Sequence, residues 1–258
     1  MRDYQQVNEE RYEKDNFSGK GIAENIYSPI NPVGNYGVYK VIQVLRKYIS
    51  IIKEKTGKDY DEIRILDCGC GAGTTTRIIS NLIGNTYNVY GFEFSKNRLE
   101  YCKSMNPAIH YLWGDITQAE GVFADLSDIP FDGIVASDVL SQLRMAKDVE
   151  SALKNISNAL SDHGVFLWYE INAKTHEENY EADTQGFSEH EMDEYAQKCG
   201  LRMIYKSRVN GSIKLFGKTF STYYFVNDKL LNIKFMEMID PLLLKFGHLN
   251  NVRMYMKL

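Results

Sequence analysis

The chain has 258 residues, a formal net charge of −4 and 44% hydrophobic residues, which is typical of a globular α/β domain with additions. No stretch approaches the roughly eighteen apolar residues of a membrane-spanning helix, and the polar N-terminus lacks the apolar core of a signal peptide, so we expect a cytoplasmic protein with no membrane partner. The acidic balance also argues against a nucleic-acid partner, because neutralising phosphates requires a basic face.

The N-terminal segment, residues 1–36, is polar with scattered tyrosines. Pro29 and Pro32 lie too close together for a helix to form across them. Over residues 36–54 the apolar side chains recur with a period near 3.6, which predicts an amphipathic helix. We therefore expect residues 1–58 to form an N-terminal unit ahead of the main domain.

A glycine-rich turn is the most informative motif of the chain. A short apolar run ends in Asp67, and three glycines follow at alternate positions, Gly69, Gly71 and Gly73. This order predicts a buried parallel strand, a tight turn and a helix that begins directly after it. Alternate glycines let a ligand approach the backbone, and the helix start offers free N–H groups. The acid suits a cationic or hydroxyl-bearing ligand and would repel a phosphate.

The spacing of these glycines distinguishes two classes of nucleotide site. The dinucleotide fingerprint G-x-G-x-x-G is absent, because its last glycine would fall on Thr74 or Thr76. The pattern D-x-G-x-G-x-G resembles motif I of the class I S-adenosylmethionine-dependent methyltransferases. The resemblance implies a doubly wound α/β fold with a seven-stranded, mostly parallel sheet, an antiparallel last strand and helices on both faces. It also places the turn under the methionine part of the cofactor. A purely structural turn is the alternative.

A second strand ends in Glu93, about twenty residues after Gly73. In doubly wound nucleotide folds an acid at this distance binds the ribose diol. A carboxylate can accept hydrogen bonds from both adjacent hydroxyls, so Glu93 is the predicted ribose ligand. Phe94 is a candidate platform beside the adenine. The alternative for Glu93 is an acid that caps the following helix.

The ends of the third and fourth strands complete the predicted cofactor site. The resemblance implies that Asp115 contacts the adenine amino group and that the backbone of Ile116 contacts the ring. Residues 131–140 resemble the family's F-D-x-I-x-x-x-x-V-L segment. Ser137, within this segment, is a further predicted cofactor-binding residue. Many family members carry a histidine in the next turn. Here the turn is 141–143, Ser-Gln-Leu, so no histidine can be carried over.

Candidates for a catalytic base must lie at the carboxyl ends of the strands, where doubly wound sheets bind their ligands. Glu170 ends the fifth strand and His176 lies in the loop beyond it, and these two are the predicted catalytic residues. Asp138, His190 and His248 also satisfy the positional requirement. For each of these residues a purely structural role is the competing interpretation.

The C-terminal part follows the fifth strand. Ser188 and Glu191 form a capping-box pattern, which predicts the start of a helix. We expect the sixth and seventh strands over residues 201–207 and 218–226, the last one antiparallel. Residues 229–258 are predicted to be a helical extension packed on a core that spans residues 59–228.

The family resemblance also gives the N-terminal segment a role. In these methyltransferases such a segment covers the cofactor and helps to form the substrate pocket. Tyr27, Asn31 and Tyr36 are the lid candidates. The alternative is that the segment simply packs against the edge of the core.

The four cysteines, Cys68, Cys70, Cys102 and Cys199, are predicted to be reduced thiols. Cys68 and Cys70 flank one glycine in a tight turn, where a disulfide would have poor geometry. No cysteine pair or histidine partner has metal-ligand spacing, so no metal is expected.

The combined pattern predicts an S-adenosylmethionine-dependent methyltransferase that releases S-adenosylhomocysteine. A loose similarity to stand-alone bacterial methyltransferases favours O-methylation of a small molecule or a sugar or glycan, by in-line displacement. N-methylation of another small molecule is one alternative. A non-catalytic protein that binds the cofactor, as a sensor or an assembly subunit, is a second alternative, and a nucleic-acid or protein methyltransferase is a third. The sequence determines neither the acceptor nor the oligomeric state.

Overall fold

The computed structural model describes residues 32–118, 130–143, 145–173, 186–209, 229–245, 247–248 and 250–257. Within these residues the strands are β1 (Ile65–Cys68), β2 (Val89–Glu93), β3 (His110–Trp113), β4 (Phe131–Ser137), β5 (Leu160–Ile171), β6 (Leu201–Val209) and β7 (Asn250–Lys257). They form one seven-stranded sheet in the order β3-β2-β1-β4-β5-β7-β6.

Helices cover both faces of this sheet. They are α1 (Pro32–Thr56), α2 (Thr74–Ile83), α3 (Lys96–Met105), α4 (Ala146–Ala159), α5 (Glu189–Lys198) and α6 (Lys229–Leu243), with short 3₁₀ turns at Tyr60–Glu62 and Leu140–Gln142. Across the part of the chain that is described, no helix combines the length and apolarity that crossing a membrane requires.

Strand β5 shows why the sheet needs helices on both faces. Val165 and Leu167 enter the apolar layer under α1, while Phe166 and Trp168 enter the opposite layer. All four are buried, and such a nearly continuous apolar run is typical of a strand covered on both sides.

The pairing of the strands confirms the predicted fold class. β1 pairs in parallel with both β2 and β4, and β4 pairs in parallel with β5. β7 is antiparallel to both of its neighbours, β5 and β6. The sheet is thus mostly parallel with one antiparallel strand, the last in the chain.

The position of that last strand differs from the sequence prediction. Residues 229–258 were expected to be helical throughout, but only Lys229–Leu243 form a helix. Asn250–Lys257 form β7, which lies between β5 and β6. Residues 218–226, where the antiparallel strand was predicted, lie outside the described residues.

Buried polar residues conceal the period-two pattern of β7. Val252 and Met254 belong to one apolar layer and Tyr255 to the other. Asn251 and Arg253, which alternate with these apolar residues, are also buried, with 0% and 1% exposure. Their polarity breaks the apolar run that would mark an internal strand, and pairing on both sides decides its conformation instead.

Candidate active site

The parallel strands bring the predicted cofactor residues to one edge of the sheet. Cys68, the last residue of β1, is in register with Phe92 of β2 and Ala136 of β4. Glu93 at the end of β2 is in register with Trp113 at the end of β3. The glycine turn and the ends of these strands therefore lie side by side.

The glycine turn is tight at one end and open at its tip. Gly69 has a φ of +70°, and a β-carbon there would lie 2.4 Å from Val139 Cγ2, so a side chain would collide with the segment after β4. Gly71 has a φ of +55°, and no heavy atom lies within 4 Å of the position its β-carbon would take. The left-handed backbone favours glycine at both positions. At Gly71 the space is open to a ligand.

Glu93 ties the tip of the turn to the end of β2. Its Oε2 accepts a hydrogen bond from the Gly71 N–H at 2.8 Å, and its Oε1 accepts one from the Ser95 N–H at 2.9 Å. A carboxylate offers about four acceptor positions, so Glu93 keeps the capacity to accept from hydroxyls. The N-cap of α3 is Ser95, whose hydroxyl oxygen accepts from the Arg98 N–H.

Asp67 is buried rather than displayed at the mouth of the turn. It is 1% exposed, and its Oδ2 accepts a hydrogen bond from the Thr76 hydroxyl in α2 at 2.7 Å. Burial raises the pKa of Asp67 to about 7, opposed by the hydrogen bond from Thr76 and helped by the charge of Glu93. Asp67 thus holds the turn against α2. The partner, Thr76, was not predicted from the sequence.

Asp115 carries a polar atom that lacks a partner. Its Oδ1 accepts from the backbone N–H of Thr117 at 2.9 Å and from the Thr117 hydroxyl at 2.8 Å. Its Oδ2 is buried without a hydrogen-bond partner in the part of the chain described. Buried acceptors are normally satisfied, so this oxygen fits a donor supplied by a ligand, such as an adenine amino group.

The remaining predicted cofactor residues lie around these acids. The carbonyl of Ile116 accepts from the side-chain amide of Asn155 at 2.9 Å, which fixes the backbone there. Phe94 is partly buried, and its carbonyl accepts from the indole N–H of Trp113 at 2.7 Å. Trp113 is 48% exposed and adds an aromatic surface that the sequence analysis missed. Ser137, partly exposed, is the last residue of β4.

Two acids of neighbouring strands form a hydrogen-bonded pair. Asp138 follows β4 in a left-handed conformation, with φ at 54°, and its side chain is hydrogen-bonded to that of Glu170 at the end of β5. Two carboxyl groups can share a hydrogen bond only when at least one carries a proton. Both residues are base candidates by their positions in the sequence, but their contact could not be predicted from it.

The two acids differ in their access to solvent. Glu170 is 0% exposed and accepts from the N–H groups of Ser141 at 3.0 Å and Ile171 at 3.1 Å. Asp138 is exposed as a residue, whereas Glu170 is enclosed. Of the two acids, Asp138 is therefore the one that lies nearer to solvent.

Burial shifts the titration of both carboxyl groups. It raises the pKa of Asp138 to about 6, opposed by the hydrogen bond to Glu170. The pKa of Glu170 is raised well above its usual range by burial and by the charge of Asp138. When the pair holds a single proton, the stronger effect of burial on Glu170 favours Glu170 as its carrier.

Of the three histidine candidates, the structure describes His190 and His248. His176 lies outside the described residues. His190 is 81% exposed in the first turn of α5, with Nε2 3.7 Å from Glu194 Oε1. His248 is buried, with Nε2 2.7 Å from Asn251 Oδ1.

The lid candidates are only partly covered by the structure. Tyr36 is fully buried beside Asp240 of α6; burial, followed by the charge of Asp240, raises its pKa above the usual range. Tyr27 and Asn31 lie outside the described residues. Contact with α6 thus anchors the start of α1.

The described cysteines are all free and buried. Cys102 donates from Sγ to the Gly71 carbonyl at 3.1 Å, beneath the glycine turn. Over the described ranges, no group of three or more His, Cys, Asp or Glu side chains is arranged to hold a metal ion.

Comparisons with known proteins agree with this geometry. A family described as a methyltransferase domain matches residues 66–166. Malonyl-[acyl-carrier protein] O-methyltransferase of Buchnera aphidicola subsp. Baizongia pistaciae is 39% identical over 84 residues. That match covers 33% of this chain and only 32% of the relative, about a third of its length.

Solved structures resemble the chain over a greater length. Magnesium protoporphyrin IX methyltransferase of Synechocystis PCC 6803, with bound S-adenosylhomocysteine, is similar with a TM-score of 0.61 at 10% identity, covering 99% of this chain and 100% of that one. N-methyltransferase NodS of Bradyrhizobium japonicum, also with S-adenosylhomocysteine, has a TM-score of 0.57 at 14% identity, covering 98% and 97%. At such identities the likeness shows the fold.

Motif, sheet order and matched domain agree with one another. The open glycine turn, the acid at the end of β2 and the unpartnered Asp115 oxygen fit an adenosine-containing cofactor. Residues 66–166 therefore match a methyltransferase domain, and the chain as a whole has the fold of a methyltransferase that binds S-adenosylhomocysteine.

Proposed function

We propose that this chain transfers a methyl group from S-adenosylmethionine to a small-molecule or glycan acceptor. The observation that carries the proposal is the set of three ligand-ready groups at adjacent strand ends. These are the open tip at Gly71, the Glu93 carboxylate and the buried Oδ2 of Asp115. Together they offer a backbone cradle, acceptors for a diol and an acceptor for an amino group.

In this proposal each group contacts one part of the cofactor. Glu93 accepts from the ribose hydroxyls while it continues to hold Gly71. Asp115 accepts from the adenine amino group, and the backbone of Ile116 lies beside the ring. Phe94 flanks the adenine, and Ser137 closes the site on the β4 side. Because Glu93 and Asp115 are already held by backbone or side-chain donors, they are oriented before the ligand arrives.

The acceptor side of the proposal rests on the acid pair. When bound, S-adenosylmethionine supplies an activated methyl group, and the acceptor must lie opposite its sulfur. Asp138 is the acid that lies nearer to solvent, and a base with a pKa near 6 is ionised at neutral pH while still able to take a proton. We therefore assign the base to Asp138.

Glu170 then acts through Asp138 instead of touching the acceptor. It is fully buried, and its proton stabilises the ionised Asp138 through their hydrogen bond. This refines the sequence prediction, in which Glu170 itself was a catalytic residue. His176 stays a prediction.

We place O-methylation first and N-methylation second. The relative from Buchnera aphidicola is named as an O-methyltransferase, which supports oxygen as the nucleophile. The structurally similar NodS is named as an N-methyltransferase, and an ionised Asp138 would also accept a proton from an ammonium group.

Calorimetric titration with S-adenosylhomocysteine is the first test of the proposal. The second test measures the release of S-adenosylhomocysteine from S-adenosylmethionine in the presence of alcohol, sugar and amine acceptors. Micromolar affinity together with acceptor-dependent release supports the enzyme. Binding without release from any acceptor favours the non-catalytic alternative, and an absence of binding by folded protein contradicts the proposal.

A further inference from the structure

A cavity lies away from the glycine turn, beside the edge strand β6. Its volume is about 450 Å³. The lining residues are Glu189, Lys206, Ser207, Arg208, Leu244, Lys245 and Arg253. Four of these seven carry a positive charge and one carries a negative charge.

The floor of the cavity is a buried arginine. Arg253 is 1% exposed, and its Nη2 lies 3.1 Å from Glu189 Oε2. Its Nη1 donates to the Val252 carbonyl at 3.2 Å, and its Nε lies 3.4 Å from Asp193 Oδ1. These contacts hold the guanidinium group in one orientation and tie the start of α5 to β7.

The single lining carboxylate is already shared by two arginines. Arg208 donates to Glu189 from Nε at 2.6 Å and from Nη2 at 3.0 Å, in addition to the contact from Arg253. The arginines lower the pKa of Glu189 to about 2, with the hydrogen bond from Arg208 as the largest cause, so it is ionised at every ordinary pH. It offsets part of the charge of two arginines and none of the charge of the lysines.

Lys206 and Lys245 form the exposed rim of the cavity. Among the residues that the structure describes, no carboxylate lies within ion-pair distance of either lysine. Glu189 orients the guanidinium groups of both Arg208 and Arg253, and such groups beside two flexible ammonium groups are a favourable arrangement for an anion with several oxygen atoms.

The cavity lies near the carboxyl ends of the parallel strands, as the acid pair does. Arg208 is in register with Asn251, which is in register with Glu170 on its other side. Two strand spacings separate Arg208 from Glu170, about 10 Å between the backbones. Residues in register share a face of the sheet, so Arg208 and Glu170 lie on the same side.

We propose that this cavity is an anion-binding site that takes a phosphoryl or carboxylate group between Lys206, Arg208 and Lys245. It lies apart from the cofactor turn and does not depend on methyl transfer. Asp138 follows β4, one strand spacing beyond Glu170, so a molecule that reaches both this cavity and Asp138 must span about 14 Å.

Inorganic phosphate and malonate are the probes, titrated into isotope-labelled protein and followed by amide NMR shifts. Saturable shifts around β6 and residues 244–245 are expected. The double variant Lys206→Glu, Lys245→Glu should weaken binding about tenfold or more, because it reverses two charges at the rim. The tighter of the two probes identifies the group that the site prefers.

The matched control is the double variant Lys55→Glu, Lys103→Glu, which changes the net charge equally. These two lysines are exposed and lie on α1 and α3, outside the cavity lining. Its affinity for the probes should stay near that of the native chain. Equal weakening in both double variants, or the absence of saturable shifts with either probe, would overturn the proposal. S-adenosylhomocysteine affinity in the same variants tests the proposed function separately.

Discussion

The backbone N–H of Gly71 donates a hydrogen bond to Oε2 of Glu93 across 2.8 Å, joining the tip of the glycine turn to the end of β2. If Glu93 binds the ribose as proposed, it also shapes the turn that would lie under the methionine part of the cofactor. The Glu93 carboxylate connects the glycine turn to the end of β2, so its removal should affect both parts of the site.

Replacing Glu93 by Ala should weaken binding of S-adenosylhomocysteine by roughly 1–3 kcal/mol, since both the diol acceptor and the anchor of the turn are lost. Calorimetry on both proteins measures the difference. Glu100→Ala is the matched control, because Glu100 is an exposed acid on α3 that pairs with Lys103. Unchanged affinity in Glu93→Ala would place the ribose elsewhere.

Replacing Gly71 by Val should abolish cofactor binding while the protein still folds. The side chain would fill the open space at the tip, and the φ of +55° adds backbone strain of about 1–2 kcal/mol. The control is Gly84→Val at the end of α2, where φ is +72° and the space is also open. Similar thermal unfolding of the two variants, with binding lost only in Gly71→Val, is the expected result. Retained binding in both would give the turn a purely structural role.

The acid pair should leave a signature in the pH dependence of stability. Both carboxyl groups have raised pKa values in the folded protein, so they bind protons more tightly folded than unfolded. Their contribution is complete below the unfolded pKa near 4 and is lost as the pH rises through about 6, and beyond that for Glu170. Relative to the double variant Asp138→Asn, Glu170→Gln, the native chain should lose stability from pH 4 to pH 7.

Urea unfolding at a series of pH values measures this difference, and the raised pKa of Asp67 cancels because both proteins retain it. A difference that does not change with pH would show that the two acids share no proton. Once an acceptor is known, Asp138→Asn should lower the rate much more than the affinity for S-adenosylhomocysteine.

Because β7 is an internal strand, we expect truncation of one of its buried side chains to lower the free energy of unfolding substantially. Met254 is fully buried between β5 and β6, so Met254→Ala should destabilise the protein by about 2–5 kcal/mol. Met238→Ala is the control, since Met238 on α6 is 66% exposed and its loss should cost little. Equally small effects on the free energy of unfolding, measured in urea, would argue that residues 250–257 are peripheral.

Local signals were sufficient to predict that the glycine turn and Glu93 lie side by side. Glycine at 69 and 71 and the acid at position 93 sit next to strands whose order is set by a parallel, doubly wound fold. In such a fold the carboxyl ends must meet at one edge, so residues that are distant in sequence could be placed together without coordinates.

Only the tertiary structure decided the partners of these residues and the identity of the last strand. The bond between Asp138 and Glu170 and the one between Asp67 and Thr76 depend on side-chain directions that no local pattern encodes. An acid just beyond β4 and another at the end of the neighbouring β5 were the available signal for the pair. Strand β7 escaped prediction because its buried Arg253 is stabilised by acids of α5, a compensation that exists only once the chain has folded.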